Sequence, residues 1–195
     1  MAVFEHYAGK YDAAEANYRE TLDTKRTQLG DRHTDVGVAM QNLAFLLHDK
    51  GDDHAAELLL REAVALQRDQ LGESHKALAV PLGHLGMTLV MQGNDEEGAH
   101  RYREAIVIHP ALLTEGGPQR AETRGVYGLL IQRTGRYDEA EQHLLASVEV
   151  MRDRLGPADN RTLNAIKRLV DLYEAWGKPN EATEYRALLE EAESQ

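Results

Sequence analysis

The chain has 195 residues, no cysteine, and 33 acidic against 22 basic side chains, which gives a net charge of -11. The absence of cysteine excludes disulfides and thiol chemistry, and the negative charge argues against nucleic acid or an anionic membrane as a partner. No apolar stretch approaches membrane-spanning length, and the first residues lack the pattern of a signal peptide. We therefore expect a soluble, cytoplasmic protein.

Five glycines divide the chain at a fixed interval. Gly9, Gly51, Gly93, Gly135 and Gly177 are each 42 residues apart. A fixed period of this size is typical of a repeat solenoid, whose stacked repeats share one continuous core. Aromatic residues make up only 6% of the chain, which favours stacked helices over a sheet. We predict one all-α solenoid domain over 1–195, with repeat units at about 1–29, 34–71, 76–113, 118–155 and 160–195.

Each repeat is predicted to contain two antiparallel helices. A small residue five positions after each glycine marks the place where the two helices cross closely, and these residues are Ala14, Ala56, Gly98, Ala140 and Ala182. Leu-Gly pairs at 29–30, 71–72 and 155–156 mark helix ends, because glycine adopts the left-handed conformation found there. The predicted helices span 11–29, 34–50, 53–71, 76–92, 95–108, 119–134, 137–155, 160–176 and 179–193.

Pro81 interrupts the helix predicted over 76–92. Proline lacks the backbone N–H that a helix interior requires, and its ring contacts the preceding turn. The sequence therefore predicts a kink, a delayed start of the helix, or a proline that begins the helix after a longer loop.

Two further segments depart from the repeat. Residues 109–118 contain Pro110 and a Gly-Gly-Pro cluster in place of the usual connector, so we expect an irregular loop there. Met1 falls in the middle of a first helix when the period is counted back, so the first repeat is incomplete. That end is expected to leave Val3 and Phe4 uncovered, and it then either follows a longer parent chain or pairs with a second subunit in a homodimer.

Three motifs together resemble the tetratricopeptide repeat in its 42-residue variety, found in kinesin light chains and bacterial signalling proteins. They are Gly-Arg-Tyr-Asp-Glu-Ala-Glu at 135–141, Leu-Gly-x-x-His at 71–75 and Gln-Asn-Leu-Ala at 41–44. The resemblance implies a right-handed superhelix of about four and a half repeats, whose first helices line a concave groove that binds peptides or protein segments. It is specific for the fold and weak for the partner.

The resemblance also implies which positions line the groove. They are Gln41, Phe45 and His48; Gly83, Met87 and Val90; Gly125, Leu129 and Gln132; and Lys167, Asp171 and Glu174. Phe45, Met87 and Leu129 are one period apart and are expected to form an apolar stripe, with Met87 and Met91 adapting to an imprecise partner. Apolar residues at helical spacing also occur as buried core, so both interpretations stay open.

Two features modify this groove. Asn42 matches an asparagine that contacts the peptide backbone in the family, but its counterparts in the other repeats are His84, Val126 and Arg168. The cargo preference of kinesin light chains is therefore not carried over. Arg133 and Lys167 are expected to hold a carboxylate or an acidic peptide segment at one end of the groove.

Catalytic and metal-binding patterns are lacking in the sequence. The nine histidines form no His-x-x-x-His pair, and no serine lies in a Gly-x-Ser-x-Gly turn. We expect no enzyme, no cofactor and no metal. The predicted function is a non-catalytic scaffold that binds a peptide or helical segment. The alternatives are a self-associating structural module and the regulatory part of a larger bacterial signalling enzyme such as a Ser/Thr kinase.

Overall fold

The computed structural model describes residues 2–7, 9–110 and 117–193. The chain groups into two compact units, residues 1–109 and 110–195, which are described separately below as unit 1 and unit 2. Within the described ranges, all regular secondary structure is helical, which confirms the predicted all-α class.

Unit 1 contains six α-helices among its described residues. They are α1 (Ala2–Tyr7), α2 (Tyr11–Leu29), α3 (Thr34–Asp49), α4 (Asp53–Leu71), α5 (Ala79–Met91) and α6 (Asp95–Ile108). A short 3-10 turn, Lys76–Leu78, precedes α5. In each repeat a first helix packs against the second helix that follows it, as α3 does against α4 and α5 against α6.

Unit 2 contains four α-helices among its described residues. They are α7 (Pro118–Arg133), α8 (Tyr137–Leu155), α9 (Asn160–Trp176) and α10 (Pro179–Glu193). The first helices are α7 and α9, and they pack against the second helices α8 and α10. The predicted helix bounds are met within one residue at every end, except that α5 begins at Ala79, three residues later than predicted.

Glycines end three helices as the sequence predicts, and histidines cap the helical segments that follow two of them. Gly30, Gly72 and Gly156 follow α2, α4 and α8 with φ of 82, 87 and 89°, a conformation that residues with a Cβ rarely adopt. His33 and His75 then cap the next helical segment, because each Nδ1 accepts a hydrogen bond from the backbone N–H two residues later, at 3.1 and 3.2 Å. The Leu-Gly-x-x-His motif is therefore a connector between helices.

Pro81 delays the start of its helix. Residues 76–78 form the 3-10 turn, and the α-helix begins at Ala79. Pro81 then lies in the first turn, where a backbone N–H has no intrahelical partner in any case. The predicted delayed start is confirmed. The loop predicted over 109–118 falls mainly on residues 111–116, which lie outside the described residues, as do the side chains of Val3 and Phe4.

Candidate functional site

The first helices of unit 1 carry apolar side chains that are open to solvent. Val38 on α3, and Val80 and Met91 on α5, have exposed fractions of 45, 47 and 64%. Phe45 and Met87, seven residues after the two valines, are half-buried. Positions seven and eleven residues apart lie on one side of a helix. Val38 with Phe45, and Val80 with Met87 and Met91, therefore each form a row on one side of their helix. Phe45 and Met87 line the same crevice, and we call the two rows together the unit-1 face.

Aromatic rings join the helices under the unit-1 face. The Phe45 ring lies between His6 of α1 and His84 of α5, with ring centroids 5.2 and 5.1 Å away. The His84 ring is stacked nearly parallel to it, at 17°. Phe45, His48, His84 and Met87 also line one small crevice between α3 and α5. Four of the residues predicted from the sequence to line the groove are therefore brought together.

Two of the three histidines near this crevice contact carboxylates. His6 Nε2 lies 2.8 Å from Asp49 Oδ2, and His48 Nδ1 lies 2.5 Å from Asp53 Oδ1. The buried Nδ1 of His84, by contrast, has no hydrogen-bond partner among the described residues. Burial lowers the pKa of His84, the nearby His48 lowers it further, and Asp49 opposes the shift.

A half-buried histidine in unit 2 shows the same effect. The pKa of His143 is lowered mainly by burial and also by Arg124, against an opposing contribution from Glu139. Its ring meets the ring of Tyr127 edge-on, with the centroids 4.8 Å apart. His143 and His84 are thus both more stable as neutral side chains in the folded protein.

Acidification is expected to destabilise the fold through these two histidines. Because their folded pKa values lie below the unfolded value of about 6.5, the unfolded chain binds more protons once the pH falls below that value. The free energy of unfolding should therefore be insensitive to these groups above about pH 7.5 and decrease by up to about 1.4 kcal/mol per pH unit per histidine below pH 6.5. Denaturant titrations at pH 7.5 and 5.5 measure this.

The matched variants for this experiment are a double substitution, His84→Gln with His143→Gln, and the exposed His54→Gln as a control. The double variant should lose less stability between the two pH values than the wild type, whereas the control should behave as the wild type does. An unchanged pH dependence in the double variant would contradict the assignment.

The other positions predicted for unit 1 differ in exposure. Asn42 is exposed and Gln41 is half-buried, both on α3. Val90 is only 3% exposed, so its predicted position on the groove is wrong. It packs at the crossing of α5 with α6, where its backbone N would lie 3.1 Å from a Cβ added to Gly98.

The positions predicted for unit 2 lie on α7 and α9. Leu129 and Gln132 are half-buried, and Arg133, Lys167 and Asp171 are exposed. Gln132 Nε2 donates a hydrogen bond to the backbone oxygen of Asp171, at 3.3 Å. Although Asp171 is exposed as a residue, partial burial of its carboxyl group and the nearby charge of Glu174 raise its pKa.

An ion pair joins α7 and α9 close to these residues. Arg168 Nη2 donates to Glu122 Oε1 at 2.5 Å. Gly125 was predicted to line the groove, and that prediction is wrong, because Gly125 is buried. A Cβ at Gly125 would lie 2.8 Å from Arg168 Nη1 and 2.9 Å from Ser147 Oγ. The glycine therefore makes room for these two side chains.

Val38 and Val80 were not among the groove positions predicted from the sequence. A signal for them exists, because they are one 42-residue period apart and are followed seven positions later by Phe45 and Met87. His6 was also not among those positions, because its packing against Phe45 depends on contact between α1 and α3. The predicted stripe from Phe45 through Met87 to Leu129 stays a prediction, because Leu129 belongs to unit 2.

The described ranges also bear on membrane insertion and metal binding. No helix there is long and apolar enough to cross a membrane. No three histidine, aspartate or glutamate side chains of the same ranges are grouped so that they could hold a metal ion.

Antiparallel helix pairs at a fixed spacing define this chain as a helical repeat protein. A model of the tetratricopeptide repeat family matches residues 1–69 and 119–186. The chain therefore belongs to the tetratricopeptide repeat (TPR) family, as the sequence motifs indicated. The TPR fold is used by protein-interaction scaffolds and is generally non-catalytic. A search of curated proteins gave no match.

Solved structures confirm the fold. The TPR-like repeats of a P. anserina protein described as a kinesin light chain superpose with a TM-score of 0.80 at 20% identity, covering 99% of this chain and 92% of that one. BtubC from P. vanneervenii gives 0.76 at 21% identity, covering 99% and 76%. MamA gives 0.65 at 18% identity, covering 100% and 95%. At these identities the similarity concerns the fold alone.

Proposed function

We propose that this TPR protein is a non-catalytic scaffold that binds a peptide or helical segment of a partner protein on the first helices of its repeats. The observation that carries the proposal is the exposure of Val38, Val80 and Met91 on the unit-1 face. Single exposed apolar residues are common on protein surfaces. Several on one face, bordered by polar side chains, are typical of a protein-binding surface.

Polar groups around this face suit a peptide backbone. Asn42 is exposed beside Phe45, and the amide group of asparagine both donates and accepts hydrogen bonds. Gln41 and His48 border the same apolar residues. A bound segment would therefore bury its apolar side chains against Phe45 and Met87 while these groups hydrogen-bond to its polar atoms.

Unit 2 offers a surface of different character. Leu129 supplies an apolar contact, and Arg133 and Lys167 are exposed cations on α7 and α9. We propose that these cations bind an acidic group of the partner, as charge-assisted hydrogen bonds favour. The hydrogen bond from Gln132 to the backbone oxygen of Asp171 joins these two helices.

A peptide-library selection tests the proposal. Random 16-residue peptides are selected on the wild-type protein, and each peptide retained is measured against the Phe45→Ala/Met87→Ala double variant. Each truncation removes one apolar contact. A loss of about 1.4 kcal/mol of binding free energy corresponds to roughly tenfold weaker binding. We expect a combined loss of about 30-fold or more.

Phe45 also packs against His6 and His84, so a second variant separates loss of binding from loss of folding. Val80→Lys changes a side chain that is 47% exposed and should leave the circular dichroism spectrum unchanged. Leu58→Lys, on α4 and 57% exposed, is the control with the same change of charge. Leu58→Lys should bind the selected peptides as the wild type does. Selected peptides that bind Phe45→Ala/Met87→Ala and Val80→Lys as tightly as the wild type would contradict the proposal.

A further inference from the structure

We propose that the partner segment bound by the unit-1 face is a cationic amphipathic helix. This inference rests on the proposed function and specifies the chemistry of the partner. Three features of unit 1 carry it: the apolar rows on α3 and α5, the distribution of charge among its helices, and the length of the exposed surface.

Basic residues are excluded from the first helices of unit 1. The segments α1, α3 and α5 contain no lysine or arginine, whereas they contain Glu5, Asp35 and Asp49. Residues 1–109 as a whole carry 18 acidic and 11 basic side chains. Within these three helices the charged side chains are therefore acidic, apart from the histidines, and Lys76 lies outside them in the 3-10 turn before α5.

The basic residues of unit 1 lie on second helices and connectors, and several are held there by carboxylates. Arg61 on α4 binds both oxygens of Glu97 on α6, at 2.9 Å each. Lys50, just after α3, is bound by Asp12 and Glu15 of α2, at 2.6 and 2.8 Å. These two cations are paired with carboxylates of second helices and not with Asp49. Lys25 of α2, by contrast, binds Asp35 at 3.0 Å, so Asp49 is the acidic group that carries the charge argument.

Asp49 lies at the end of this face. It is one period before Met91, and 37% of its side chain is exposed although it contacts His6. A basic side chain of the partner placed beside Asp49 would gain a favourable charge interaction, and an acidic one would be repelled. Such complementarity selects between partners of similar shape.

The length and spacing of the apolar rows match a helix. Val80, Met87 and Met91 extend over eleven residues of α5, which corresponds to about 16 Å along the helix axis. A partner helix lying along α3 and α5 would cover this row with apolar residues at i, i+3 or i+4, i+7 and i+11 over about three turns. The flexible methionine side chains adapt to the shape of such a partner.

The first helices of unit 2 differ in sign and provide a natural contrast. They carry six basic residues, Arg120, Arg124, Arg133, Arg161, Lys167 and Arg168, against the acidic residues Glu122, Asp171 and Glu174. A cationic helix is therefore expected to prefer unit 1.

The test uses two designed 18-residue amphipathic helices with identical leucine positions, one with lysine and one with glutamate at the polar positions. Binding of each fluorescent peptide to the full chain is followed by fluorescence anisotropy at pH 7.5. The lysine peptide should bind at least about tenfold more tightly than the glutamate peptide. Val80→Lys and Met91→Lys should each weaken its binding about tenfold, because each removes an apolar contact and adds a repelling charge.

A general attraction between the negative chain and a cationic peptide is distinguished by Leu58→Lys, which makes the same change of charge on α4. That variant should change binding of the lysine peptide less than about twofold. Equal weakening by Leu58→Lys and Val80→Lys, or equal affinity for the two peptides, would overturn the inference. In that event, library peptides that still depend on Phe45 and Met87 would leave the proposed function standing, with a partner of other chemistry.

Discussion

Replacing Gly86 with alanine is expected to destabilise the protein by about 2–3 kcal/mol, although alanine is the better helix former. A Cβ at this position on α5 would lie 2.7 Å from the backbone oxygen of Gly98 and 3.0 Å from the backbone N of Tyr102, both on α6. Because these are backbone atoms, they cannot rotate away, so the two helices have to separate. Thermal unfolding followed by circular dichroism should show a melting temperature lower by about 5–10 °C.

Gly83→Ala is the matched control on the same helix. A Cβ there would lie 3.7 Å from Tyr102 Cε2, which is an ordinary contact. The alanine should therefore leave the melting temperature unchanged or raise it, since alanine is more favourable than glycine in a helix by up to about 1 kcal/mol. Equal melting temperatures for Gly83→Ala and Gly86→Ala would show that the close approach of α5 and α6 does not restrict the residue at position 86.

The Gly98→Ala substitution is expected to destabilise unit 1 by about 2 kcal/mol, against the pattern of the repeats. The corresponding residues Ala14, Ala56, Ala140 and Ala182 are all alanine. Helix propensity and the repeat pattern alone would therefore predict stabilisation by about 1 kcal/mol. In the structure, a Cβ at Gly98 would lie 2.5 Å from Val90 Cγ2 and 2.7 Å from the backbone oxygen of Gly86.

Whether Gly98→Ala raises or lowers the stability of the protein decides between the repeat pattern and the observed packing. Urea unfolding of Gly98→Ala should show a lower midpoint than the wild type, and the Gly86→Ala/Gly98→Ala double variant should lose less than the two single losses added together. That shortfall is expected because either Cβ alone already forces α5 and α6 apart, and residues in contact are not additive. A midpoint above that of the wild type would favour the repeat pattern over the packing.

The crossing partners explain why alanine is accepted in the other copies. By the 42-residue spacing, the equivalent pairs are Ala44 with Ala56, Gly86 with Gly98, Gly128 with Ala140 and Val170 with Ala182. The structure shows the close approach directly for Gly86 with Gly98 and for Gly128 with Ala140. Only the α5 and α6 pair has glycine at both positions, so these two backbones approach more closely than a Cβ permits. The distance between helices within a repeat is therefore set by the pair and not by either residue alone.

Much of the fold followed from spacing in the sequence. The period of 42, the positive-φ glycines after α2, α4 and α8, and the capping histidines were all predictable, because they depend on local backbone chemistry. Pro81 likewise predicted the delayed start of α5. The site was predicted less completely: Phe45, His48, His84 and Met87 do lie around one crevice, whereas Val90 and Gly125 are buried.

Those two errors have one physical cause. The predicted groove positions were carried from one repeat to the next at equal spacing, but the residues that meet at the helix crossings differ between repeats. Where glycines bring α5 and α6 together, Val90 turns into the contact, and where Arg168 pairs with Glu122, Gly125 provides the space that its guanidinium occupies. These local differences arise from contacts between helices, and they leave no signature within one repeat.

The sequence by itself determined that this protein is a TPR repeat protein, where its helices begin and end, and that lysine and arginine are absent from α1, α3 and α5. These properties depend on local conformation and composition, which are the same wherever the repeat occurs. Only the tertiary structure decided which apolar residues are exposed and how closely α5 approaches α6. It also decided that the buried Nδ1 of His84 has no hydrogen-bond partner among the described residues. Exposure and close approach depend on the packing of neighbouring helices, and that packing differs from one repeat to the next.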